Sequence, residues 1–427
     1  MGQHAWNGDL RSDDSKGLSL VVLVTQLGSC IVRIGISCFG HKLGVSGGTQ
    51  VYRQELVNAL AVFDRHTQYV LLKWETDDSP LANASSNFIT VDFPPPSQGI
   101  GARLKHAIVN YLWRDWPDAL ARQIDRLGLD LIHFPTTLLL PPNARTTTIL
   151  TFFDMQQEFH PDNFSLSERV RRHLTYRPSA RKAGLIISPS SFTAETLVQR
   201  YKIPPSKIRR VPVGISDHYK PQTDPRVLDD IRRRYDLPEA FVFYPANTWR
   251  HKNHRRLLLA LMLLHQQPGP RINLVCTGAA SSGETVSQIG QSLGFPEAQL
   301  FDLGFVPLAD MPAIYALARM MVFPSLFEGF GIPVLEAMAC GCPVVCANTT
   351  ALPEVGGEAV RLFDPLNVPA MAETIRQVWE DADLRAAMAR QGLRRAEHYR
   401  WERIIPAVVE VYRETFQRFS KGNQHAT

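Results

Sequence analysis

The chain is organised around Phe323–Asn348, with the sequence FPSLFEGFGIPVLEAMACGCPVVCAN. An apolar run ending at Phe323 predicts a buried strand, which Pro324 ends. Gly329 and Gly331 favour a sharp backbone turn where a side chain would clash. A short amphipathic segment and a second apolar run follow, so the pattern predicts strand, glycine loop, helix and strand. Units of this kind bind nucleotides at the carboxyl ends of parallel strands.

Two carboxylates frame the bend, Glu328 in the loop and Glu336 on the helix, with seven residues between them. The free backbone N–H groups where the helix begins, at Phe330, Gly331 and Ile332, form a site for an anion such as phosphate. Carboxylates accept hydrogen bonds from hydroxyls. A phosphate with many hydroxyls describes a sugar nucleotide. The simpler interpretation is an ordinary turn with two solvated glutamates.

Residues 328–345, EGFGIPVLEAMACGCPVV, closely resemble the E-x7-E signature of the retaining glycosyltransferases of family 4, the glycosyl transferases group 1. The resemblance extends over roughly Val32 to Phe416, with several separate motifs in the expected order. It implies an α/β GT-B fold, in which two doubly wound Rossmann-like domains face each other across a cleft. It also implies that Glu328 contacts the donor sugar and Glu336 the nucleotide ribose.

The composition is that of an ordinary globular protein, with 44% hydrophobic residues, 20% charged residues and a net charge of +5. A length of 427 residues favours two domains over one core. The six cysteines show no CxxC metal spacing and lie mostly in apolar runs. Buried thiols in a reducing cytoplasm are therefore expected.

Alternating strand and helix patterns, with a polar, Pro-containing stretch at Gly214–Pro225, predict the domain boundaries. Residues 1–31 are expected to be a partly disordered extension whose apolar run is too short to span a bilayer. Residues 32–215 are predicted to form the acceptor domain and residues 216–398 the donor domain. Residues 399–427 are expected to form a terminal helix that crosses back to the first domain, followed by a tail.

A glycine-rich loop, GVSGG, follows the first predicted strand and resembles the family's loop between the donor phosphates and the acceptor. Gly47 and Gly48 are therefore candidate cleft residues, although turn chemistry alone explains such a loop about as well. Asp154 resembles the start of an acceptor-side loop, where it either holds the loop or binds acceptor. The family usually has His where Phe153 stands, so the role of that His is not transferred to this chain.

Two further segments of the first domain carry predictions. Asn83–Ser97, which includes three consecutive prolines, is expected to be a loop, and Arg103–Leu127 is expected to be largely helical. The segment 169–182 contains six cations and no acidic residue, and a solvated helix face is the usual meaning. The second interpretation is contact with an anionic membrane, worth about 1 kcal/mol per basic residue. Nucleic acid is ranked last, because no aromatic interleaving accompanies the run.

In the second domain, the segment PANTWRHKNHRRLLLAL crowds cations into the turn before a helix, which suits a diphosphate. It resembles the family's basic motif, in which Lys252 would grip the donor phosphates. The second basic ligand is either Arg250 or His251, and we favour Arg250 for its permanent charge. Gly278 follows the predicted strand Ile272–Thr277 and is expected to contact the donor. Val306 ends the predicted strand Leu300–Val306 and is also expected to contact the donor, because the family uses the loop after this strand to contact the base.

The sequence Asp381-Ala382-Asp383 has the residues of a DxD metal motif but not its expected surroundings, because the pattern around it is helical and charged. We therefore expect no metal and no other cofactor. The expected catalytic residues are Glu328, Lys252 and Arg250, with protein cations stabilising the charge that builds on the leaving diphosphate.

The residue patterns predict a cytoplasmic enzyme, in contact with the membrane if the basic segment binds lipid. The resemblance to the family implies that it transfers a hexose with retention from a nucleotide sugar to a glycan or lipid-linked acceptor. GDP-mannose is the first expectation for the donor and UDP-glucose the second. A nucleotide-sugar epimerase, a pyridoxal-dependent phosphorylase and a non-catalytic nucleotide-sugar binder remain alternatives, because fold resemblance does not decide function.

Overall fold

The computed structural model describes residues 32–41, 48–79, 85–95, 119–269, 271–281 and 283–423. The described part of the first domain is built on seven strands: β1 (Arg33–Ser37), β2 (Gln68–Trp74), β3 (Phe88–Phe93), β4 (Leu131–Phe134), β5 (Thr147–Thr151), β6 (Leu185–Ser188) and β7 (Ile208–Arg210). Its described helices are α1 (Gly48–Phe63), α2 (Ala119–Asp125), α3 (Leu166–Lys182) and α4 (Ser191–Tyr201).

The second domain has six described strands: β8 (Phe241–Pro245), β9 (Asn273–Thr277), β10 (Leu300–Asp302), β11 (Met320–Phe323), β12 (Val344–Ala347) and β13 (Val360–Phe363). The helices after β7 are α5 (Pro225–Arg234), α6 (His254–His265), α7 (Val286–Leu293), α8 (Met311–Leu317), α9 (Ile332–Ala339), α10 (Leu352–Gly356), α11 (Val368–Glu380), α12 (Ala382–Glu397) and α13 (Trp401–Asn423).

Both sheets are parallel and doubly wound, which confirms the predicted fold class. The strand orders are β3-β2-β1-β4-β5-β6-β7 and β10-β9-β8-β11-β12-β13. In each sheet the order reverses beside the first strand, and such a switch point opens a crevice at the carboxyl ends. In the second sheet that crevice lies between β8 and β11. The basic turn after β8 and the glutamate loop after β11 are therefore neighbours.

The central strands are apolar along their whole length because both faces of each sheet are covered. All four residues of β11 and the first four of β8 are buried. Continuous apolar runs of this kind are typical of parallel sheets with helices on both sides. The five cysteines in the described residues are free and buried.

The terminal helix α13 packs on the first domain against α1, β4 and β5. At its start, the indole N–H of Trp401 donates to Glu55 Oε2 at 3.2 Å. Further along, the hydroxyl of Tyr412 lies 2.8 Å from Nδ1 of the buried His133. These contacts join the end of the second domain to the first.

The predicted loop at Asn83–Ser97 is wrong, because it contains strand β3, Phe88–Phe93. This strand lies at the edge of the sheet and pairs only with β2 among the described residues. Most of its side chains are exposed or half-buried, so it lacks the apolar run that marks a central strand. Of the predicted helix over Arg103–Leu127, the described part contains α2. Residues 1–31, residues 103–118 and Gly47 lie outside the described residues.

Candidate active site

A cleft of about 1190 Å³ opens between the carboxyl ends of the two sheets. This exceeds the roughly 300–1,000 Å³ of a typical small-ligand pocket, so there is room for two substrates. Every described residue that the sequence marked as catalytic, donor-binding or acceptor-side lines it: Glu328, Lys252, Arg250, Glu336, Phe330, Gly331, Ile332, Gly278, Val306, Gly48 and Asp154.

Helix α9 begins as the sequence pattern indicates. Gly331 precedes it with φ 102°, a left-handed conformation that glycine tolerates. A Cβ on Gly331 would also lie 2.6 Å from Leu352 Cδ2. Pro333 occupies the first turn, and Gly341 beyond the last turn has φ 74°. These constraints therefore fix the path of the backbone from Glu328 to the first turn of α9.

Lys252 and Glu328 form an ion pair, with 2.5 Å between Nζ and Oε1. Their side chains are only 17% and 13% exposed. The Glu328 N–H donates to Thr350 Oγ1, and the Tyr244 hydroxyl donates to the Lys252 carbonyl. The residue expected to hold a phosphate thus touches the residue expected to hold the sugar. In a nucleotide sugar those two groups share the bond that would break.

Glu336 is buried at the edge of the cleft, with 8% of the residue exposed. The Tyr315 hydroxyl donates to its Oε2 at 2.9 Å. Burial raises the pKa of Glu336, while hydrogen bonds from Tyr315 and Tyr219 act in the opposite direction. The two tyrosines therefore fix the direction of this carboxylate, a feature that the sequence analysis missed.

The two candidates for the second basic ligand differ in environment. Arg250 is exposed at the cleft. Burial lowers the pKa of His251 to about 2, and the charge of Lys252 acts in the same direction. Of the two, only Arg250 carries a positive charge at neutral pH.

Asp154 lies on the first-domain side of the cleft and holds its own loop, since the Gln156 N–H donates to its Oδ1 at 3.2 Å. Burial raises the pKa of this carboxyl. The preceding residue, Phe153, packs its ring on Tyr52 with 5.0 Å between centroids. An apolar ring therefore stands where the family usually has His.

The glutamate loop also touches the first domain directly. The carbonyl of Gly329 accepts hydrogen bonds from Ser190 Oγ at 2.7 Å and Thr193 Oγ1 at 3.2 Å. Glu354 reaches the same region, where its Oε2 accepts from the Ser191 N–H at 2.7 Å. A Cβ on Gly329 would lie 2.1 Å from the Phe153 carbonyl oxygen. The closeness of the two domains therefore depends on glycine at this position.

The basic segment 169–182 forms most of α3, but its cations do not share one face. Arg171 and Arg172 both pair with Glu168, at 2.7 and 2.8 Å, and Arg172 lines the cleft. Lys182 donates to Asn143 at 2.7 Å. The direction of these side chains does not follow from the sequence pattern, so Arg172 was not predicted as a cleft residue.

The donor half of the cleft also carries three exposed apolar side chains that sequence analysis did not single out: Trp249, Phe305 and Leu308. Each lies in or beside a turn after a strand, and no apolar periodicity marks it. They give this half of the cleft an apolar surface beside the cations.

Asp381 of the DxD spelling caps a helix, since its Oδ1 accepts from the Leu384 N–H at 2.8 Å. Within the described ranges, no group of three or more His, Cys, Asp or Glu residues is placed to hold a metal ion. In the same ranges, no helix is both long enough and apolar enough to cross a membrane.

Two family models match the chain. Glycosyl transferases group 1 matches residues 229–395, and Glycosyltransferase Family 4 matches residues 46–219. The first match contains Lys252, Glu328 and Glu336, and the second contains Asp154. Each thus covers one wall of the cleft.

The curated proteins to which the chain is similar include three with the following names. O-antigen chain mannosyltransferase B of Escherichia coli is 32% identical over 289 residues, which is 66% of this chain and 74% of that protein. D-inositol 3-phosphate glycosyltransferase of Salinispora tropica is 30% identical, over 68% of this chain and 60% of its own. Serotype-specific mannosyltransferase WbdA of Escherichia coli is 25% identical over 55% of this chain, and the match spans 29% of that protein.

The solved structures that share the fold include two enzymes of known name. Sucrose-phosphate synthase from Thermosynechococcus elongatus superposes with a TM-score of 0.72 at 19% identity, over 91% of this chain and 100% of that one. WaaG, a glycosyltransferase involved in lipopolysaccharide biosynthesis, gives 0.64 at 16% identity, over 88% and 99%. At these identities the likeness concerns the fold alone.

Proposed function

The chain belongs to the glycosyl transferases group 1 of family 4, with the α/β GT-B fold, and on that premise we propose that it is a retaining mannosyltransferase using GDP-mannose. The acceptor is a hydroxyl of a glycan or lipid-linked saccharide, and the pathway is the synthesis of a cell-surface polysaccharide. The contact between Lys252 and Glu328 in the cleft carries this proposal.

Lys252, Arg250 and the start of α9 provide positive potential for the diphosphate of the donor. Glu328 accepts hydrogen bonds from the sugar hydroxyls, and Glu336 accepts them from the ribose. Exposed Phe305 and the backbone of Val306 and Gly278 offer surfaces for the nucleotide. This division of roles follows the family resemblance and uses residues that all line one cleft.

In the reaction, the bond between the anomeric carbon and the phosphate oxygen breaks. A bond from the acceptor hydroxyl oxygen to the same carbon forms on the same face. The acceptor proton passes to an oxygen of the leaving phosphate, so no separate protein base is needed. Lys252 and Arg250 stabilise the charge that develops on the diphosphate, and a preorganised donor of this kind contributes about 2.7–4 kcal/mol. Protein cations take the part that a metal ion plays in other transferases.

We prefer mannose over glucose because the Escherichia coli relative named O-antigen chain mannosyltransferase B matches this chain over 74% of its own length. UDP-glucose remains the donor to test beside it. A membrane-facing role is proposed for α3, where exposed Leu166, Arg169, Val170 and Arg181 lie on one helical face. Apolar and basic side chains together suit the anionic inner surface of a plasma membrane.

The test uses the full chain with GDP-mannose or UDP-glucose and octyl α-D-mannopyranoside as the acceptor. We expect an α-linked mannosyl product, identified by NMR, whose anomeric configuration matches that of the donor. Lys252→Ala should fold and lose at least about a hundredfold in kcat/KM. Lys202→Gln, an exposed lysine outside the cleft lining, should behave like the unchanged protein.

Inversion of configuration, or a turnover of Lys252→Ala near that of the unchanged protein, contradicts the mechanism. Product formation without an acceptor would favour an epimerase instead. For the membrane contact, binding to phosphatidylglycerol vesicles should weaken as salt is added, since exposed charges are screened over about 8 Å at physiological ionic strength. Leu166→Ser with Arg169→Gln should reduce it. Equal binding to phosphatidylcholine vesicles would refute that contact.

A further inference from the structure

One wall of the cleft has a set of polar groups that the family motifs do not account for. The turn Pro161–Asn163 and the residues leading into α3 supply Asp162, Asn163, Phe164 and Ser165. Arg172, two turns into α3, lines the same wall. This wall belongs to the first domain, whereas Lys252 and Glu328 line the opposite side. The position suits an acceptor rather than a donor.

The Arg172 guanidinium is held by four neighbours. Its Nε donates to Glu168 Oε1 at 2.8 Å, and its Nη1 donates to Gln157 Oε1 at 3.4 Å. Its central carbon lies 4.4 Å from the ring centroid of Phe164 and 5.3 Å from that of Tyr176. The side chain is 20% exposed. An arginine held in this way offers its remaining N–H groups in a fixed direction and loses little entropy on binding.

The charge of Arg172 is already balanced. Hydrogen bonds from Arg171 and Arg172 lower the pKa of Glu168 to about 2, so this carboxylate stays ionised beside them. Among the described residues of the cleft lining, Arg172 is the one cation from the first domain, and Asp154 and Asp162 come from the same domain. A phosphate group on the acceptor would lie near the negative charge of Asp162. On this wall the positive charge of Arg172 is already paired with Glu168. Like charges placed together in this way disfavour a ligand.

The same groups suit hydroxyls. Within the part of the chain that the structure describes, the side chains of Asp162 and Asn163 make no hydrogen bond, which leaves a carboxylate and an amide for a ligand. A carboxylate accepts from hydroxyls, an amide both accepts and donates, and a guanidinium donates. The Phe164 ring adds an apolar surface for the C–H groups of a sugar. Neutral saccharides combine these two features.

We therefore propose that the acceptor ends in a neutral saccharide, recognised by Asp162, Asn163 and Arg172 beside the Phe164 ring, and that this wall rejects phosphorylated acceptors. The inference rests on the transferase function proposed above and adds the chemical class of the acceptor. In this proposal Arg172 binds the substrate; its role is neither to stabilise α3 nor to contact a membrane. Its neighbour Arg171 pairs with the same Glu168 but is exposed and outside the cleft lining.

The experiment uses the full chain with GDP-mannose and three acceptors: octyl α-D-mannopyranoside, its 6-phosphate and D-inositol 3-phosphate. The neutral acceptor should exceed both phosphorylated ones at least tenfold in kcat/KM. Arg172→Gln should raise KM for the neutral acceptor about tenfold while the Kd for GDP, measured by calorimetry, stays unchanged. Arg171→Gln is the matched control and should change neither quantity. Asp162→Asn should increase activity with the 6-phosphate, because it removes the like charge.

A phosphorylated acceptor used as well as the neutral one overturns the inference and leaves the transferase function intact. Equal losses in Arg171→Gln and Arg172→Gln also overturn it, because a helix-stabilising role would affect both. Circular dichroism and the unchanged GDP affinity show whether Arg172→Gln is folded. Failure to bind GDP-mannose, or to transfer from it to any acceptor, overturns the proposed function and this inference with it.

Discussion

The substitution Gly329→Ala tests whether catalysis needs the two domains in the contact described above. The added Cβ would lie 2.1 Å from the Phe153 carbonyl oxygen and 3.1 Å from Asp154 Cβ. The Phe153 carbonyl oxygen has little room to turn away, because it lies 3.1 Å from Thr193 Oγ1, whose single hydrogen it shares with the Gly329 carbonyl. Alanine therefore forces the glutamate loop and the first domain apart, while the fold of each domain is undisturbed.

The expected fall in kcat follows from the hydrogen bonds that are lost when the glutamate loop and the first domain move apart. Ser190 donates to the Gly329 carbonyl, which also shares the hydroxyl hydrogen of Thr193, and a typical hydrogen bond contributes about 0.5–1.5 kcal/mol. Losing the first bond and the shared one weakens the contact by about 1–2 kcal/mol, which corresponds to about a 5- to 30-fold change in an equilibrium constant. The two domains are either in contact or apart. If these two states are otherwise about equally populated, the fraction in contact falls by about that factor, and kcat falls with it.

Two measurements decide the matter. The kcat for mannosyl transfer should fall, and the Kd for GDP should not, since Lys252 and Glu336 both lie in the second domain. Thr193→Val, which removes one hydroxyl and adds no clash, should give a smaller fall in kcat, and Thr193→Ser should restore it. Unchanged turnover in a folded Gly329→Ala variant would refute the reasoning, as would a parallel loss of GDP affinity.

Three further predictions follow from the carboxylates and cations of the cleft. Glu336→Gln should weaken GDP binding, whereas Glu328→Gln should leave it nearly unchanged and reduce transfer, because free GDP carries no sugar; calorimetry showing the opposite pattern would exchange their roles. Transfer should survive EDTA, and complete loss that Mn²⁺ restores would contradict the role given to Lys252. Burial raises the pKa of Glu55 to about 7 from 4.5, so the folded state binds this proton more tightly than the unfolded chain. The free energy of unfolding should therefore fall as pH rises between about 5 and 8, and Glu55→Gln should flatten that slope in urea titrations; an unchanged slope in the variant would contradict the role given to Glu55.

The parts of the fold that the sequence predicted are those with a local physical cause. The strand, loop and helix from Met320 to Gly341 were predicted from local features. The apolar run indicates a buried strand, the two glycines indicate a sharp turn, and the proline indicates the first turn of a helix. Strand β3 was missed because an edge strand needs no continuous apolar run. Its irregular mixture of half-buried and exposed residues, with only Phe93 buried, does not distinguish it from a loop.

The site was predicted to the extent that it lies within one segment. The pairing of Lys252 with Glu328 joins positions 76 residues apart, and only the resemblance to the family connected them in advance. Glu354 and Ser191 are separated by 163 residues and meet only through domain packing. For Arg172, the charge is evident from the sequence but the direction of the side chain is not, and its partner Glu168 lies just before the basic segment.

The ion pair between Lys252 and Glu328 has a consequence for the end of each catalytic cycle. Both side chains are largely shielded from water, and an isolated charge in such a place is costly. On the roles proposed for these residues, Glu328 would have no hydroxyl to hold once the sugar has left with the acceptor, and Lys252 would be bound only to the departing diphosphate. Re-forming the pair would give each a partner again, which would lower the free energy of the empty enzyme and favour product release. Inorganic phosphate alone would separate the pair without satisfying Glu328, so we expect the resting enzyme to resist inhibition by small anions.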